Sequence, residues 1–203
     1  LSLLLDFNST RGVIEDHTGL NELTPTDITI PKTGSNYSAL FNGNTSLIDT
    51  GSDFIPLGDK TICAWINPKS FGLSGRILDN GNLILHTIES FSRYALFSNI
   101  STVIFSANNS IILNKLQFVS ITITSTGIAN FYIGDLDNAP TISGTANQDS
   151  GTPTAGTTNV IIGNRVAQDR TFDGTIPMIR VYEGILTLEE ITQIWSVTKK
   201  KLK

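Results

Sequence analysis

Short runs of β-branched and aromatic residues, each closed by Gly, Pro, Asn, Asp or Ser, recur along almost the whole chain. They read "SLLLDF", "SALFN", "TSLID", "TICAWIN", "GRILD", "NLILHT", "RYALFS", "TVIFSA", "QFVSITIT", "IANFYIG", "NVIIG" and "TIPMIRVY". Runs of this length and spacing predict strands, and their number predicts an all-β, two-sheet antiparallel sandwich. A helical period appears only near the end, where Leu188, Ile191, Ile194 and Trp195 share one face. Thr187 is its N-cap. With Glu190 three positions on it forms a capping box, and Leu186 and Ile191 are placed as a hydrophobic staple. Asn80-Gly81 predicts a two-residue type I′ turn joining Arg76–Asp79 to Asn82–His86. "SANNSI" and "TSTGIAN" predict two further hairpin turns.

With 203 residues the chain suits one such sandwich, residues 1–198, followed by a basic tail or linker, 199–203. Charged residues make up 16%, below the usual quarter or so, and Ser, Thr, Asn and Gly take their place. The net charge is −4, and no basic stripe with interleaved aromatics occurs, which argues against nucleic-acid binding. No apolar stretch is long enough to span a bilayer, so no membrane insertion is expected. "LSLLLDF" is too short for a signal peptide. The one cysteine, Cys63, lies in an apolar run and is expected to be a buried small hydrophobe. With two histidines beside it, a zinc site is not expected.

The ordered set "SALFNGNTSLIDT", "KTICAWINP", "NVIIGN" and "FDGTIPMIRVYEGILTLEEITQIW" resembles the laminin-G-like, concanavalin A-like lectin/glucanase jelly roll. The matching positions are Ala39, Leu40, Phe41 and Gly43; Ala64, Trp65, Ile66 and Pro68; Ile162, Gly163 and Asn164; then Phe172, Gly174, Ile176, Arg180, Tyr182, Leu186, Glu190 and Ile191. Asp16, Gly19 and Asn21 resemble an N-terminal turn of the family. The resemblance implies a jelly-roll sandwich capped by one short C-terminal helix. It also makes Trp65 a core tryptophan, expected between the sheets beside Phe41 and Ile179. Two positions depart from the pattern. Gln117 stands where the family often has Trp. Pro177 stands where the family's Asp helps to bind a structural calcium, so no cofactor is expected there. Proline also lacks the ladder N–H, which places residue 177 at a sheet edge or a bulge. The ending "EEITQIWSVTKKKLK" resembles the close of such domains in bacteriophage structural proteins.

Relatives that hydrolyse glycosides carry Glu-x-Asp-x-x-Glu or a near variant on one strand, which brings two carboxylates into one cleft. No strand here has it. Asp6, Asp49 and Asp79 are isolated at strand ends, Glu15 and Asp16 sit in a turn, and His17 and His86 are expected at the surface or in turns. The expected function is therefore non-catalytic: a recognition module for carbohydrate or another cell-surface ligand within a larger surface or virion protein. A structural or decoration domain contacting other subunits of a virion or surface assembly is the alternative, and a divergent glycoside hydrolase a second. An extracellular, cell-surface or virion location follows. Ligand contacts are expected from the polar 134–159 segment, read as a long loop carrying Asp135, Asp137, Asn138, Asn147, Gln148 and Asp149. Arg165 and Arg170 follow it as bidentate donors. Tyr94 is the candidate stacking face, and the sheet face bearing Phe91 and Tyr94 is the alternative surface. Asp135, Asp137 and Asn138 alternate as calcium ligands do, but turn chemistry explains them better.

Overall fold

The structure, a computed structural model, describes residues 1–6, 14–33, 36–98, 103–144, 147–148 and 153–202. Strands follow in chain order as β1 (Leu3–Asp6), β2 (Thr24–Thr26), β3 (Lys32–Thr33), β4 (Asn36–Tyr37), β5 (Ala39–Asn42), β6 (Leu47–Asp49), β7 (Lys60–Pro68), β8 (Arg76–Asp79), β9 (Ile84–Ile88), β10 (Arg93–Phe97), β11 (Ile104–Phe105), β12 (Gln117–Ile123), β13 (Ile128–Asp135), β14 (Thr141–Ile142), β15 (Asn147–Gln148), β16 (Ile161–Ile162) and β17 (Asp173–Glu183). The helix α1 (Leu188–Thr198) and a 3-10 turn over Lys199–Lys201 close the chain. One antiparallel sheet runs β1-β17-β7-β12-β13-β14, and the other β11-β10-β9-β8-β16-β6-β2. These are the two layers of the expected jelly roll, with its single short helix.

Alternation along each strand decides which residues fill the space between the layers. The row Ile48, Ile162, Leu78, Leu85, Leu96 and Ile104 runs across the second sheet and faces inward. Ile62, Ala64 and Ile66 of β7 meet it from the first sheet, with Ile121, Phe131 and Ile179 beside them. At Gly163, φ is +79°, and a β-carbon there would sit 1.9 Å from the Phe41 ring. Glycine lets that aromatic pack flat against the backbone.

Trp65 is buried, but not where expected. It lies on the outer face of β7, in a second apolar cluster with Cys63, Phe118, Met178, Ile191 and Trp195. Phe41 and Ile179 belong to the inter-sheet core instead. β7 is buried on both faces, so its two residue sets both look like core. The outer set is covered by α1. Trp65 Nε1 donates to Thr198 Oγ1 at 2.8 Å, and Trp195 Nε1 to the Asp135 carbonyl at 2.7 Å, which pins the helix to the sheet at two points. The capping box forms as expected: Thr187 Oγ1 accepts from Glu190 N–H, and the Glu190 carboxylate accepts from Thr187 N–H. Lys199 Nζ then sits 3.4 Å from the Trp195 ring centroid, and Leu202 packs on the same cluster.

Pro177 is at a bulge. Thr175 pairs with Asn67 and Met178 with Trp65, so Ile176 and Pro177 together oppose Ile66. On the other side of β17 the partner changes at this point, from β5 (residues 173–176) to β1 (residues 178–181). A residue without an N–H costs nothing where neither neighbour needs a ladder bond from it.

The Asn80-Gly81 hairpin joins the expected strands, but its turn differs. Only Gly81 has positive φ, at 86°. The loop has four residues, closed by Asn80 N–H to Leu83 O at 3.2 Å, and the Asn80 side-chain oxygen accepts from Asn82 N–H and Leu83 N–H. Asn80 Nδ2 also donates to Asp53, so a distant partner sets the turn. "TSTGIAN" forms the β12–β13 hairpin with Gly127 at its tip. "SANNSI" turns at Asn109 but is bonded back to Phe91 and Ser92 and forms no hairpin. The described parts of 134–159 are not a free loop: β14 and β15 pair with β13, and Gly156 N–H and Thr157 N–H bond to Asp53 and to the Asn80 carbonyl.

Candidate functional site on the outer face of the second sheet

α1 covers the outer face of the first sheet, and among the described residues no helix lies on the outer face of the second. Two cross-strand rows define that face. Asp49, Ile161, Asp79, Ile84 and Phe97 form one, and Arg76, His86, Ala95 and Phe105 the other. Two depressions open on it. One, of about 400 Å³, is lined by Asp79, Gly81, Ile84, Thr158 and Arg165 to Ala167. The other, of about 300 Å³, is lined by Ser74, Arg76, Ile84, His86, Phe97, Val103 and Arg170. Ile84 belongs to both, so they adjoin.

A bulge builds the polar part of this face. Leu78 pairs with Leu85 and Arg76 with His86, leaving Ile77 extra. Ile77 and Leu78 both point into the core, and Arg76 and Asp79 both point out. Arg76 Nε then reaches Asp79 Oδ2 at 3.1 Å, with both side chains almost wholly buried. Burial pushes the Asp79 carboxyl up, opposed by the Gly81 N–H and the Arg76 charge. His86 stands beside this pair. Burial and the charges of Arg76 and Arg170 push its imidazole down to about 4, outweighing its bond to the Thr87 carbonyl. It is therefore neutral at pH 7. Nδ1 carries the proton, 3.2 Å from that carbonyl, and Nε2 is left as an acceptor. Arg165 is held by Asp169 through Nε and Nη2, at 2.5 and 2.6 Å. Beyond His86, the Arg93 guanidinium stacks 3.7 Å from the Phe105 centroid and 5.1 Å from that of Phe91. Phe91 is 60% exposed and holds φ at +62°, an unusual conformation for a bulky residue.

Of the residues singled out from sequence, Arg165 and Arg170 lie at this face, and the end of the 134–159 segment reaches it through Thr158. Asp135, Asp137 and Asn138 lie elsewhere, at the β13–β14 turn under α1. Asp135 there accepts from Asp137 N–H, Asn138 N–H, Asn138 Nδ2 and Lys115 Nζ. Burial opposes its charge, but Lys115 and these N–H groups outweigh burial and hold its pKa well below the usual carboxylate range. Turn-building occupies these oxygens. Asn147 and Gln148 supply backbone to β15, and Asp149 lies outside the described residues. Tyr94 offers no stacking face: it is fully buried in the inter-sheet core, donating its hydroxyl to Gln117 Oε1 at 3.1 Å. Gln117, the departure at the family's Trp position, thus supplies the partner a buried phenol needs.

Arg76, Asp79 and His86 were not singled out as binding residues, and His86 is not the surface or turn histidine expected. The sequence held a signal in "RILDNGNLILH", where the polar, ionisable side chains of Arg76 and His86 stand at the two ends of an apolar hairpin. Among the described residues, no group of three or more His, Cys, Asp and Glu side chains is arranged to hold a metal ion. No helix among them is long and apolar enough to cross a membrane.

A family profile for the concanavalin A-like lectin/glucanases superfamily matches residues 35–192. No curated protein matches the sequence. Among solved structures, domain 4 of AbnA, an extracellular GH43 arabinanase from Geobacillus stearothermophilus solved with arabinotriose, superposes with a TM-score of 0.69 at 18% identity, covering 96% of this chain and 97% of that one. The receptor binding domain of botulinum neurotoxin type G gives 0.66 at 19% identity, covering 97% of this chain and 51% of that one. The binding domain of Paraclostridial Mosquitocidal Protein 1 gives 0.72 at 16%, covering 98% and 52%. The chain thus spans about half of each toxin domain. At these identities the likeness establishes the fold.

Proposed function

The chain belongs to the concanavalin A-like lectin/glucanase superfamily, and we propose that it is a non-catalytic carbohydrate-binding module that takes its ligand on the outer face of the second sheet. Saccharides present apolar C–H faces edged by hydroxyl groups. A site for them needs apolar floor and fixed donors and acceptors side by side. The observation that carries the reading is the pair of depressions sharing Ile84. Ile84, Phe97, Val103 and Val166 give the floor; Arg76, Asp79, His86, Arg165 and Arg170 give the polar rim. Asp79 is the one carboxylate among these lining residues, and Arg76 holds it. Hydrolysis by two carboxylates would need a second beside it. The neighbours support the reading: one is an arabinanase domain solved with arabinotriose, and others are toxin receptor-binding or binding domains. An extracellular or cell-surface location goes with it.

A glycan microarray tests this. The intact chain should retain a defined set of saccharides. Ile84→Trp, which fills the junction of both depressions, should lose them while unfolding at an unchanged temperature. No retained saccharide, or retention unchanged in Ile84→Trp, would overturn the proposal.

A further inference from the structure

Three arginines line the two depressions, and two have a carboxylate partner: Arg76 has Asp79, and Arg165 has Asp169. Arg170 has no ion-pair partner among the described residues. Its Nη1 donates to the Leu73 carbonyl at 3.1 Å, and its Nε is withdrawn from water with no hydrogen-bond partner. The depression it lines contains no Asp or Glu, and His86 within it is neutral. The chain as a whole is acidic, at −4, and the other arginine of this face without a carboxylate, Arg93, is engaged with the Phe105 and Phe91 rings.

Resting on the carbohydrate reading, we infer that the ligand is an acidic saccharide, and that Arg170 receives its carboxylate in the depression lined by Ile84, Phe97 and Val103. The guanidinium fork matches a planar carboxylate through two parallel N–H bonds. Arg165 shows such a two-bond pairing on this very face, with Nε and Nη2 on the two oxygens of Asp169. Arg170 Nε is closed to a ligand as it is to water. Nη1 spends one N–H on the Leu73 carbonyl, which leaves the Nη1–Nη2 edge of the guanidinium to receive the carboxylate end-on. The sugar ring then lies over the apolar floor, and His86 Nε2 accepts from a ring hydroxyl.

The test is a microarray in which each carboxylate-bearing glycan is printed beside its carboxyl-reduced and its sulfated counterpart. Retained glycans should carry the carboxylate and bind about tenfold or more tightly than their reduced forms, the scale of a charge-assisted bidentate contact. Arg170→Gln should abolish that preference. Arg170→Lys, a charge-conserving variant less disturbing to the loop, should weaken it, because a point charge cannot pair bidentately. Lys115→Gln, which removes one positive charge from the first sheet's side, should keep it. Equal retention of acidic and reduced glycans would overturn this inference and leave the carbohydrate reading standing. Retention of sulfated forms alone, or a preference that survives in a folded Arg170→Gln, would also overturn it. Retention of nothing would overturn both.

Discussion

Arg76 and Asp79 form their 3.1 Å ion pair on one face of β8 although residues three apart on a regular strand point to opposite faces. The extra residue Ile77 makes the pair possible. Bulges re-aim side chains in this way beside functional surfaces. The buried pair brings polarity to both depressions, because Asp79 lines one and Arg76 the other, and the Arg76 charge reaches His86.

Breaking this pair from one side should be costly. Asp79→Asn keeps the shape and the acceptor for Gly81 N–H but leaves Arg76 buried and uncompensated. A loss of roughly 3 kcal/mol or more in urea unfolding is expected. Adding Arg76→Gln removes the stranded charge and should recover part of that loss. If the double variant is less stable than Asp79→Asn, the pair is not what matters there.

His86 should make stability depend on pH. Its folded pKa of about 4 lies below the ordinary 6.5. Between those values the unfolded chain holds the proton and the fold does not. The stabilisation is therefore complete above about pH 6.5 and is lost as pH falls towards 4, by on the order of 3 kcal/mol. His86→Gln should flatten this part of the profile relative to the wild type. Parallel profiles from pH 4 to 7 would refute the assignment.

Trp65 should matter through the helix. Trp65→Ala is expected to cost roughly 3–5 kcal/mol, as large-to-small aromatic changes in cores do. Because Trp65 sits under α1 and bonds Thr198, hydrogen-exchange protection should fall first in residues 188–198. Protection lost first in β8 and β9 would place the residue in the inter-sheet core after all.

The strand positions along the chain and the helix were legible because alternation, turn residues and the capping box are local signals. What the sequence hid was non-local. "KTICAWINP" is apolar on both faces, so nothing local says which set meets the other sheet, and Trp65 was assigned to the wrong side. Tyr94 and Arg93 differ by one position, and only the register with β9 decides that the arginine faces out. The Arg76–His86 neighbourhood depends on the bulge at Ile77, which no composition marks. Asn80 left the type I′ geometry because Asp53, far off in the chain, holds its side chain. The 134–159 segment looked free because its strands are two residues long and its anchors, Asp53 and Asn80, lie elsewhere. Arg165 and Arg170 were singled out because they follow the polar segment in the chain, and the fold brings both to the same face as Thr158. Their partners on the face were not.

The change of partner at Pro177 has a consequence for assembly. β17 fills the slot between β7 on one side and β1 and β5 on the other, and it follows every other described strand in the chain. Leu3 cannot find Val181, nor Phe41 find Gly174, until that last strand has been made. On a ribosome the earlier strands must therefore wait with an open seam through the middle of one sheet. Contacts that span nearly the whole chain give slow folding, so refolding should be slow on the scale of domains with local contacts, and a stopped-flow trace would show it.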